Sequence, residues 1–391
     1  LAMGTMSFGG DADEGTASAM FHRCREAGIN VFDCADVYER GRSEVILGKL
    51  VASERDEIVL ASKAYFPTGS GPNARGTSRY HLVRAVEASL TRLGTDRLDL
   101  FYLHRWDDDA AIDETLRAVE DLVRSGKVLY PAASNFAAWQ AMKALGIQRA
   151  AGMQPLVAIQ PMYNLSKRQA EVEILPMAAS EGLAVFPYSP LGGGLLTGKY
   201  GESRRPETGR LLDNAMYATR YEDDAHYRVA ERFTALANER GIHPVSLAVA
   251  WVAAHPAVTA PLLGARNLEQ LEPALIPEVA DPAVLVVLLD QRLQAGVDQM
   301  VALQQEGADI AAQHPLAERF HGAHGAVQQR PRAGLEERLG EAVAHPYLAG
   351  IERGEADRRG VRGVLVHGYA ACGGIATPKA SKAGRPTPGA K

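Results

Sequence analysis

The stretch IVLASKAYFPTGSGPNARGTSRYHLVRAVEASLTRLGTDRLDLFYLH, residues 58–104, decides the fold class. It opens on a short apolar run, IVLASK at 58–63, and closes on another, LDLFYLH at 98–104. Between them, in residues 80–93, apolar side chains recur at spacings of three and four, the period of an amphipathic helix. A strand, a helix and a second strand in this order predict one repeat of a parallel α/β sheet.

The same alternation extends from residue 1 to about residue 275. No GxGxxG pattern follows the first strand candidate, where an open dinucleotide-binding sheet would carry it. Eight parallel strands with intervening helices predict an α/β protein, a (β/α)8 TIM barrel over residues 1–275. The strand candidates lie at residues 1–5, 30–33, 58–63, 98–104, 128–134, 157–161, 184–189 and 260–264, and further helix candidates at 17–27, 112–125 and 173–181.

Residues 276–391 have a different texture. After one apolar stretch, AVLVVLLDQRL, the chain is rich in Gln, His, Gly and Arg and ends in ATPKASKAGRPTPGAK. This composition predicts an irregular C-terminal extension of unknown role with a disordered end. At the other terminus the chain opens on Leu1, inside the first strand candidate, so we expect a short preceding segment to be missing.

Bulk composition excludes several classes of function. A net charge of -5 and a pI near 6.2 give no basic excess, so neither nucleic acid nor an anionic membrane is an expected partner. Three cysteines without a CxxC pair argue against a disulfide framework and against a zinc site, and favour a reducing cytoplasm. No apolar run reaches the roughly 18 residues of a membrane helix.

Polar residues collect where the strand candidates end. In a TIM barrel these ends surround one mouth, where the active sites of this fold are built. Tyr38 follows Asp33 by five positions and is expected to fold back over that mouth. The other residues at strand ends are Lys63, His104, Ser134, Asn135, Gln160 and Tyr188.

Four of these side chains suit the reduction of a carbonyl group, which needs a hydride and a proton. Tyr38 is the candidate acid, and a nearby Lys63 ammonium is expected to lower its pKa from the usual value of about 10. Asp33 would keep Lys63 charged, and His104 would orient the carbonyl oxygen. Each residue alone is more often structural, and the spacing alone leaves several reaction types open.

The stretch FDCADVYERGRSE, residues 32–44, resembles the signature of the aldo-keto reductase family. Further stretches resemble the family in the same order, up to about residue 274. They are SK at 62–63, LDLFYLHRWD at 98–107, ETLRAVEDLVRSGKVLYPAASNFAAWQ at 114–140, AIQPMYNLSKR at 158–168, FPYSPLGGGLLTGKY at 186–200 and LLGARNLEQLEPA at 262–274. The resemblance implies an NADP(H)-dependent oxidoreductase that reduces a small-molecule aldehyde or ketone.

By this resemblance the catalytic residues are Asp33, Tyr38, Lys63 and His104. Potassium-channel β-subunits of the family carry Asn at the position of His104, and its steroid double-bond reductases carry Glu. Histidine at this position therefore favours ordinary carbonyl reduction.

The resemblance also implies cofactor contacts. Ser134, Asn135 and Gln160 would bind the nicotinamide carboxamide, and Tyr188 would stack on the ring. The Gly-rich loop would approach the pyrophosphate, and Arg266 would pair with a 2′-phosphate, which favours NADP(H) over NAD. The other implied contacts are Thr5, Met6, Asp33, Ser189, Leu191, Gly192, Gly194, Lys199, Gly264 and Gln270.

Departures from the family pattern leave alternatives open. Pro273 and Ala274 replace the Glu and Asn that hold the adenine, which favours weakened cofactor binding and a catalytically impaired relative. A regulatory subunit that senses NADP(H), like the channel β-subunits, is the other alternative. Pro131 stands inside a central strand candidate, where it removes a backbone donor. No cluster of His, Cys and carboxylates has metal-ligand spacing, and the sequence indicates neither the substrate's identity nor an oligomeric state.

Overall fold

A computed structural model of the chain describes residues 1–275. The expectations for residues 276–391 lie outside the described residues.

Eight parallel strands form one curved sheet in the order β7, β6, β5, β4, β3, β2, β1, β8. The two ends of this order also meet, because the Leu262 N–H donates to the Pro187 carbonyl over 2.9 Å and the Thr259 N–H to the Val185 carbonyl over 2.9 Å. The predicted barrel is confirmed. The strands are β1 (Ala2–Gly4), β2 (Val31–Asp33), β3 (Val59–Ala64), β4 (Leu98–Leu103), β5 (Val128–Ser134), β6 (Ala158–Gln160), β7 (Ala184–Val185) and β8 (Leu262–Leu263).

Helices connect the strands and begin where the sequence supplies caps. The Asp13 carboxylate, for example, accepts the Thr16 N–H over 2.8 Å, which starts the first helix three residues before the apolar repeat at residue 17. The helices are α1 (Glu14–Glu26), α2 (Arg42–Val51), α3 (Arg79–Leu93), α4 (Ile112–Arg124), α5 (Ala138–Ala151), α6 (Ile174–Glu181), α7 (Arg210–Asp213), α8 (Ala215–Arg220), α9 (Asp224–Glu239), α10 (Pro244–Ala253) and α11 (Leu268–Leu271).

Alternation along each strand separates two apolar cores. Side chains such as Val31, Leu100 and Tyr102 pack together inside the barrel. The intervening Phe32 and Phe101 belong to the larger core outside the barrel, under the helices. Successive strand side chains point to opposite faces, so this register sends every second residue at a strand end toward the barrel axis.

Pro131 is accommodated within β5. Its carbonyl accepts the Val157 N–H over 3.0 Å, and β6 begins at the next residue, Ala158. In a parallel strand the N–H and C=O of one residue point to the same neighbouring strand. The N–H that Pro131 lacks would therefore point toward the segment before β6 and not toward β6 itself. The proline therefore removes no bond from the ladder between β5 and β6.

No helix within residues 1–275 is long and apolar enough to cross a membrane. The same residues contain no group of three or more His, Cys, Asp or Glu side chains arranged to bind a metal. Cys24 and Cys34 are buried free thiols.

Candidate active site

A cavity of about 1040 Å³ opens at the carboxyl ends of the strands. It is the face on which TIM barrels carry their sites, and fifteen of the eighteen sequence-predicted residues line it. They are Met6, Asp33, Tyr38, His104, Ser134, Asn135, Gln160, Tyr188, Ser189, Leu191, Gly194, Lys199, Gly264, Arg266 and Gln270.

The other three lie behind or beside the cavity wall. Lys63 is fully buried beneath Tyr38. Thr5 is also fully buried, and its hydroxyl donates to the Asp33 carbonyl over 3.1 Å, so it braces the end of β2. Gly192 opens the 3₁₀ turn Gly192–Gly194, whose other two glycines line the cavity.

An ion pair between Lys63 and Asp33 forms the floor of the site. The two side chains point the same way because Asp33 pairs with Ala61 in the sheet and Lys63 follows Ala61 by two positions. The Lys63 ammonium also donates to the Cys34 carbonyl over 2.8 Å. The second Asp33 oxygen accepts from the Gln160 amide over 3.0 Å, so the carboxylate is fixed on both sides.

Charge on Lys63 is retained despite its burial. Burial is the largest single influence and lowers the pKa of the ammonium, but the charge and hydrogen bond of Asp33, together with the neighbouring Tyr38 and Cys34, outweigh it and raise that pKa above its usual range. The Lys63 ammonium therefore stays charged at neutral pH, and its ion-pair partner is the Asp33 carboxylate.

Tyr38 lies at the start of a 3₁₀ turn, Tyr38–Gly41, directly after the loop that leaves β2. Its hydroxyl oxygen is 3.4 Å from the Lys63 nitrogen, which lies 5.0 Å from the centre of the Tyr38 ring. Burial of the hydroxyl raises the pKa of Tyr38 to about 12, and the charge of Lys63 lowers it only in part. The expected direction of the Lys63 effect is present, but burial outweighs it, so the resting side chain is a neutral phenol.

His104 follows β4 and faces Tyr38 across the cavity, with ring centres 6.1 Å apart. Its backbone is fixed by the Asn135 amide, which donates to the His104 carbonyl over 2.9 Å. Burial lowers the pKa of the imidazole well below its usual range, and the charge of Lys63 lowers it further. The ring is therefore neutral, and its Nδ1 has no hydrogen-bond partner among residues 1–275.

Beside the ion pair, β5, β6 and the chain after β7 present amide, hydroxyl and aromatic groups. The Tyr188 hydroxyl donates to the Asn135 side-chain oxygen over 2.8 Å. The Ser134 hydroxyl donates to the Gln160 carbonyl over 3.0 Å. Asn135 adopts a left-handed backbone conformation, with φ of 56°. In this conformation its side chain contacts both the Tyr188 hydroxyl and the His104 carbonyl.

The Gly-rich loop after β7 forms one side of the cavity. A Cβ on Gly193 would lie 2.6 Å from the Tyr217 ring, and its φ is 69°, so only glycine fits there. Lys199 follows this loop on the same wall. Backbone amides beside a lysine form a surface suited to an anion.

The far end of the cavity carries a cluster of cations. The Arg266 guanidinium is 2.9 Å from the Asp11 carboxylate, and the Arg210 guanidinium is 3.9 Å from the same carboxylate. The Gln270 side chain accepts the Arg266 N–H over 3.2 Å. Pro273 and Ala274 line this end in a 3₁₀ turn and offer no side-chain hydrogen bond there.

Sequence reasoning missed several cavity residues between β7 and α9. They come from the segment 201–223, which has no strong periodicity, and include Arg210, Tyr217 and Arg220. The usable signal was position, because loops after the seventh strand of this fold frequently carry phosphate sites. Phe66 and Arg105 were missed in the same way.

Asp36 is a buried acid in the loop between β2 and Tyr38. Neither carboxyl oxygen has a hydrogen-bond partner among residues 1–275. Burial and the negative charge of Glu44 raise the pKa of Asp36 to about 7, while Arg92 and Lys63 lower it in part. The folded protein thus holds a proton at Asp36 that the unfolded chain, with an aspartate pKa of about 3.9, has lost.

We expect Asp36→Asn to become progressively more stabilising, relative to wild type, as pH rises. Between about pH 4 and about pH 7 the folded state binds the extra proton, so Asp36 makes the wild-type free energy of unfolding fall by up to roughly 1.4 kcal/mol per pH unit. Above that window the contribution is constant. Urea unfolding of both proteins from about pH 5 to about pH 8 measures the difference, and parallel curves would contradict the assignment.

Comparison with known proteins gives the family. A model of the Aldo/keto reductase family matches residues 1–276. The chain is 40% identical over 285 residues to the uncharacterized oxidoreductase YrpG of Bacillus subtilis, an alignment covering 69% of this chain and 84% of YrpG.

Two further relatives have different names. A probable voltage-gated potassium channel subunit beta of Oryza sativa is 35% identical over 297 residues, covering 72% of this chain and 90% of its own. Norsolorinic acid reductase of Aspergillus flavus is 33% identical over 287 residues, covering 70% and 71%. The barrel, the site at its mouth and the match of residues 1–276 agree, and the chain belongs to the aldo/keto reductase family.

Proposed function

We propose that this protein reduces a small-molecule aldehyde or ketone to an alcohol with NADP(H), and that Tyr38 is the general acid. The observation that carries the proposal is the placement of a neutral Tyr38 hydroxyl 3.4 Å from the buried Lys63 ammonium, in the wall of a cavity that His104 also lines. A proton donor, a fixed positive charge and a neutral hydrogen-bonding ring thus converge on one space.

Proton transfer from Tyr38 would use this arrangement. The hydroxyl donates its proton to the carbonyl oxygen as negative charge develops there. The Lys63 ammonium then stabilises the phenolate that Tyr38 becomes, because the two groups are already adjacent. Asp33 holds Lys63 charged and in place, so the charge needs no rearrangement during the step.

His104 would position the substrate. Its ring is neutral, so one nitrogen carries a hydrogen and donates to the carbonyl oxygen without competing as an acid. The T-shaped contacts with Tyr38 and Phe66 fix the plane of the ring. This geometry aims the carbonyl oxygen between His104 and Tyr38.

The residues present fit a nicotinamide dinucleotide. When bound, the cofactor supplies the hydride. Asn135 and Gln160 offer amide groups and Tyr188 an aromatic face beside the Asp33 carboxylate, and the approach of backbone at Gly193 suits a pyrophosphate. The cavity of about 1040 Å³ has room for the cofactor and a small carbonyl compound.

The charges at the far end support NADP(H) over NAD(H). Arg266 and Arg210 share the single Asp11 carboxylate, and Lys199 has no ion-pair partner in the described part of the chain. This surplus of positive charge suits a 2′-phosphate, which arginine binds through paired N–H groups. The side chains of Pro273 and Ala274 have no hydrogen-bonding group, so they would contact the adenine only through van der Waals packing.

The test begins with fluorescence titration of the full chain by NADPH and NADH. We expect NADPH to bind about tenfold to a hundredfold more tightly, the range that a charge-assisted pair supports, and Arg266→Gln to remove most of that preference. Arg228→Gln, which removes an exposed arginine outside the cavity, is the matched control. If wild type and Arg266→Gln prefer NADPH over NADH by the same factor, Arg266 does not bind the 2′-phosphate.

Turnover then separates the proposed enzyme from the second candidate, a subunit that binds NADP(H) as a redox sensor. The observation that favours this second candidate is the similarity to the relative from Oryza sativa, which is named as a probable channel subunit beta. Oxidation of NADPH on addition of benzaldehyde supports the reductase. Tight NADPH binding without oxidation by any aldehyde or ketone supports the sensor, and absence of binding supports an impaired relative.

A further inference from the structure

Five cations line the large cavity, and three of them, Arg210, Arg266 and Lys199, are assigned to the cofactor in the proposed function. Arg210 and Arg266 share Asp11, and Lys199 stands with them on the side of the Gly-rich loop. Arg105 and Arg220 make no ion pair with any carboxylate in residues 1–275. Arg220 is close to Arg210, since their guanidiniums lie 5.0 and 5.5 Å from the centre of the same Tyr217 ring, but it does not share the Asp11 carboxylate. The charges of Arg105 and Arg220 therefore have no ion-pair partner within residues 1–275.

Arg220 lies at the Tyr188 side of the cavity. It ends α8, and its guanidinium carbon is 5.0 Å from the centre of the buried Tyr217 ring. Burial raises the pKa of Tyr188, and the positive charge of Arg220 lowers it in part, so the guanidinium acts on the Tyr188 hydroxyl. That hydroxyl is bonded to Asn135, whose amide holds the His104 backbone. Two hydrogen bonds thus join Tyr188, on which the Arg220 charge acts, to the His104 backbone.

The Arg220 guanidinium lies over the Tyr217 ring and makes no side-chain hydrogen bond within residues 1–275. A guanidinium that lies over an aromatic ring uses its face for the contact and keeps its N–H groups in its own plane. The described residues offer those N–H groups no acceptor side chain. A planar carboxylate would match them with two parallel hydrogen bonds.

Arg105 adds a second positive charge to the same space. It follows His104 directly and lines the cavity with an exposed side chain. Negative charge is scarce here, because the acidic residues among those lining the cavity are Asp33, which is bonded to Lys63, and Glu269, which lies next to Gln270 and three positions after Arg266 in sequence. The field near Arg220 therefore favours an anion.

We propose that the carbonyl substrate carries a carboxylate, which Arg220 binds while Arg105 strengthens the field. This inference rests on the proposed reductase function and names its substrate class. The aldehyde or ketone group would lie between Tyr38 and His104, and the carboxylate would extend toward α8. Arg220 is then a specificity-determining residue.

The experiment compares two aldehydes of nearly the same shape, 4-carboxybenzaldehyde and its methyl ester, with NADPH and the full chain. We expect kcat/KM to favour the carboxylate by about tenfold to a hundredfold, as a charge-assisted pair allows. Arg220→Gln should remove most of this ratio through KM. Arg220→Lys should restore part of it, because lysine keeps the charge and loses the paired geometry.

Arg228→Gln is again the matched control, since it removes an exposed positive charge from α9 without touching the cavity. If Arg228→Gln lowers the preference for the carboxylate as much as Arg220→Gln does, the preference comes from long-range electrostatic attraction. That result would overturn the assignment of the carboxylate to Arg220. Equal kcat/KM for the two aldehydes in wild type overturns the inference and leaves the reductase intact. The inference is also overturned if Arg220→Gln raises the Kd for NADPH but leaves the kcat/KM ratio of the two aldehydes unchanged. That result would assign Arg220 to cofactor binding. Failure to reduce either aldehyde overturns the inference, and failure to reduce any aldehyde or ketone overturns the proposed function as well.

Discussion

Tyr38→Phe will lower kcat for aldehyde reduction by about 10²- to 10⁴-fold, the contribution typical of a positioned general acid. The substitution removes one oxygen and keeps the ring whose centre lies 5.0 Å from Lys63 and 6.1 Å from His104. The floor of the site and the packing around it therefore remain. Stopped-flow oxidation of bound NADPH measures the chemical step directly, apart from cofactor release.

Two comparisons keep this result specific. The Kd for NADPH should change by less than about twofold, because a phenol hydroxyl that acts in the chemical step is not expected to hold the cofactor. Tyr65→Phe removes the hydroxyl of a nearby tyrosine that does not line the cavity, and should leave kcat close to wild type. Retention of wild-type kcat in Tyr38→Phe would assign the acid to another group.

Lys63→Met should cost both activity and stability. Methionine has similar length but no charge, so the Asp33 carboxylate would remain buried with the Gln160 amide as its chief remaining side-chain partner. Breaking a buried ion pair on one side typically costs about 3–5 kcal/mol. Urea unfolding of the full chain measures this loss, and NADPH oxidation measures the accompanying loss of turnover.

The double variant Asp33→Asn with Lys63→Met separates the two effects. Neutralising both partners removes the uncompensated charge, so most of the lost stability should return. Activity should not return, because Tyr38 still lacks the ammonium that stabilises its phenolate. Stability of Lys63→Met equal to that of wild type would mean that Asp33 takes up a proton in the variant.

Periodicity predicted the barrel because each strand must bury one face against the helices. The sequence places Asp33 and His104 at the ends of strand candidates, and the carboxyl ends of parallel barrel strands meet at one mouth. The resemblance to aldo-keto reductases, read from motifs such as residues 32–44, is confirmed by the family match. The concern about Pro131 came from its place inside a central strand, and the structure accommodates it because the missing N–H faces chain that precedes β6.

Other features depend on tertiary structure that a linear pattern does not carry. Arg210 and Arg220 come from a segment without periodicity. Whether each is ion-paired depends on its distance from Asp11, some 200 residues earlier in the chain, and only Arg210 forms that pair. The pKa of Tyr38 depends on a balance between burial and the charge of Lys63. Both influences are foreseeable from the residue types, but their relative strength depends on how deeply the folded chain buries the hydroxyl.

Closure of the barrel has a consequence for the growing polypeptide. β1 pairs with β8 through Ala2 and Leu262, so one edge of the first strand has no partner until about 260 further residues have been made. At about 5–20 residues per second, translation leaves that edge exposed for tens of seconds. An open strand edge is a template for unwanted pairing. We therefore expect the nascent chain to be exposed to unwanted pairing along β1 until β8 has been made.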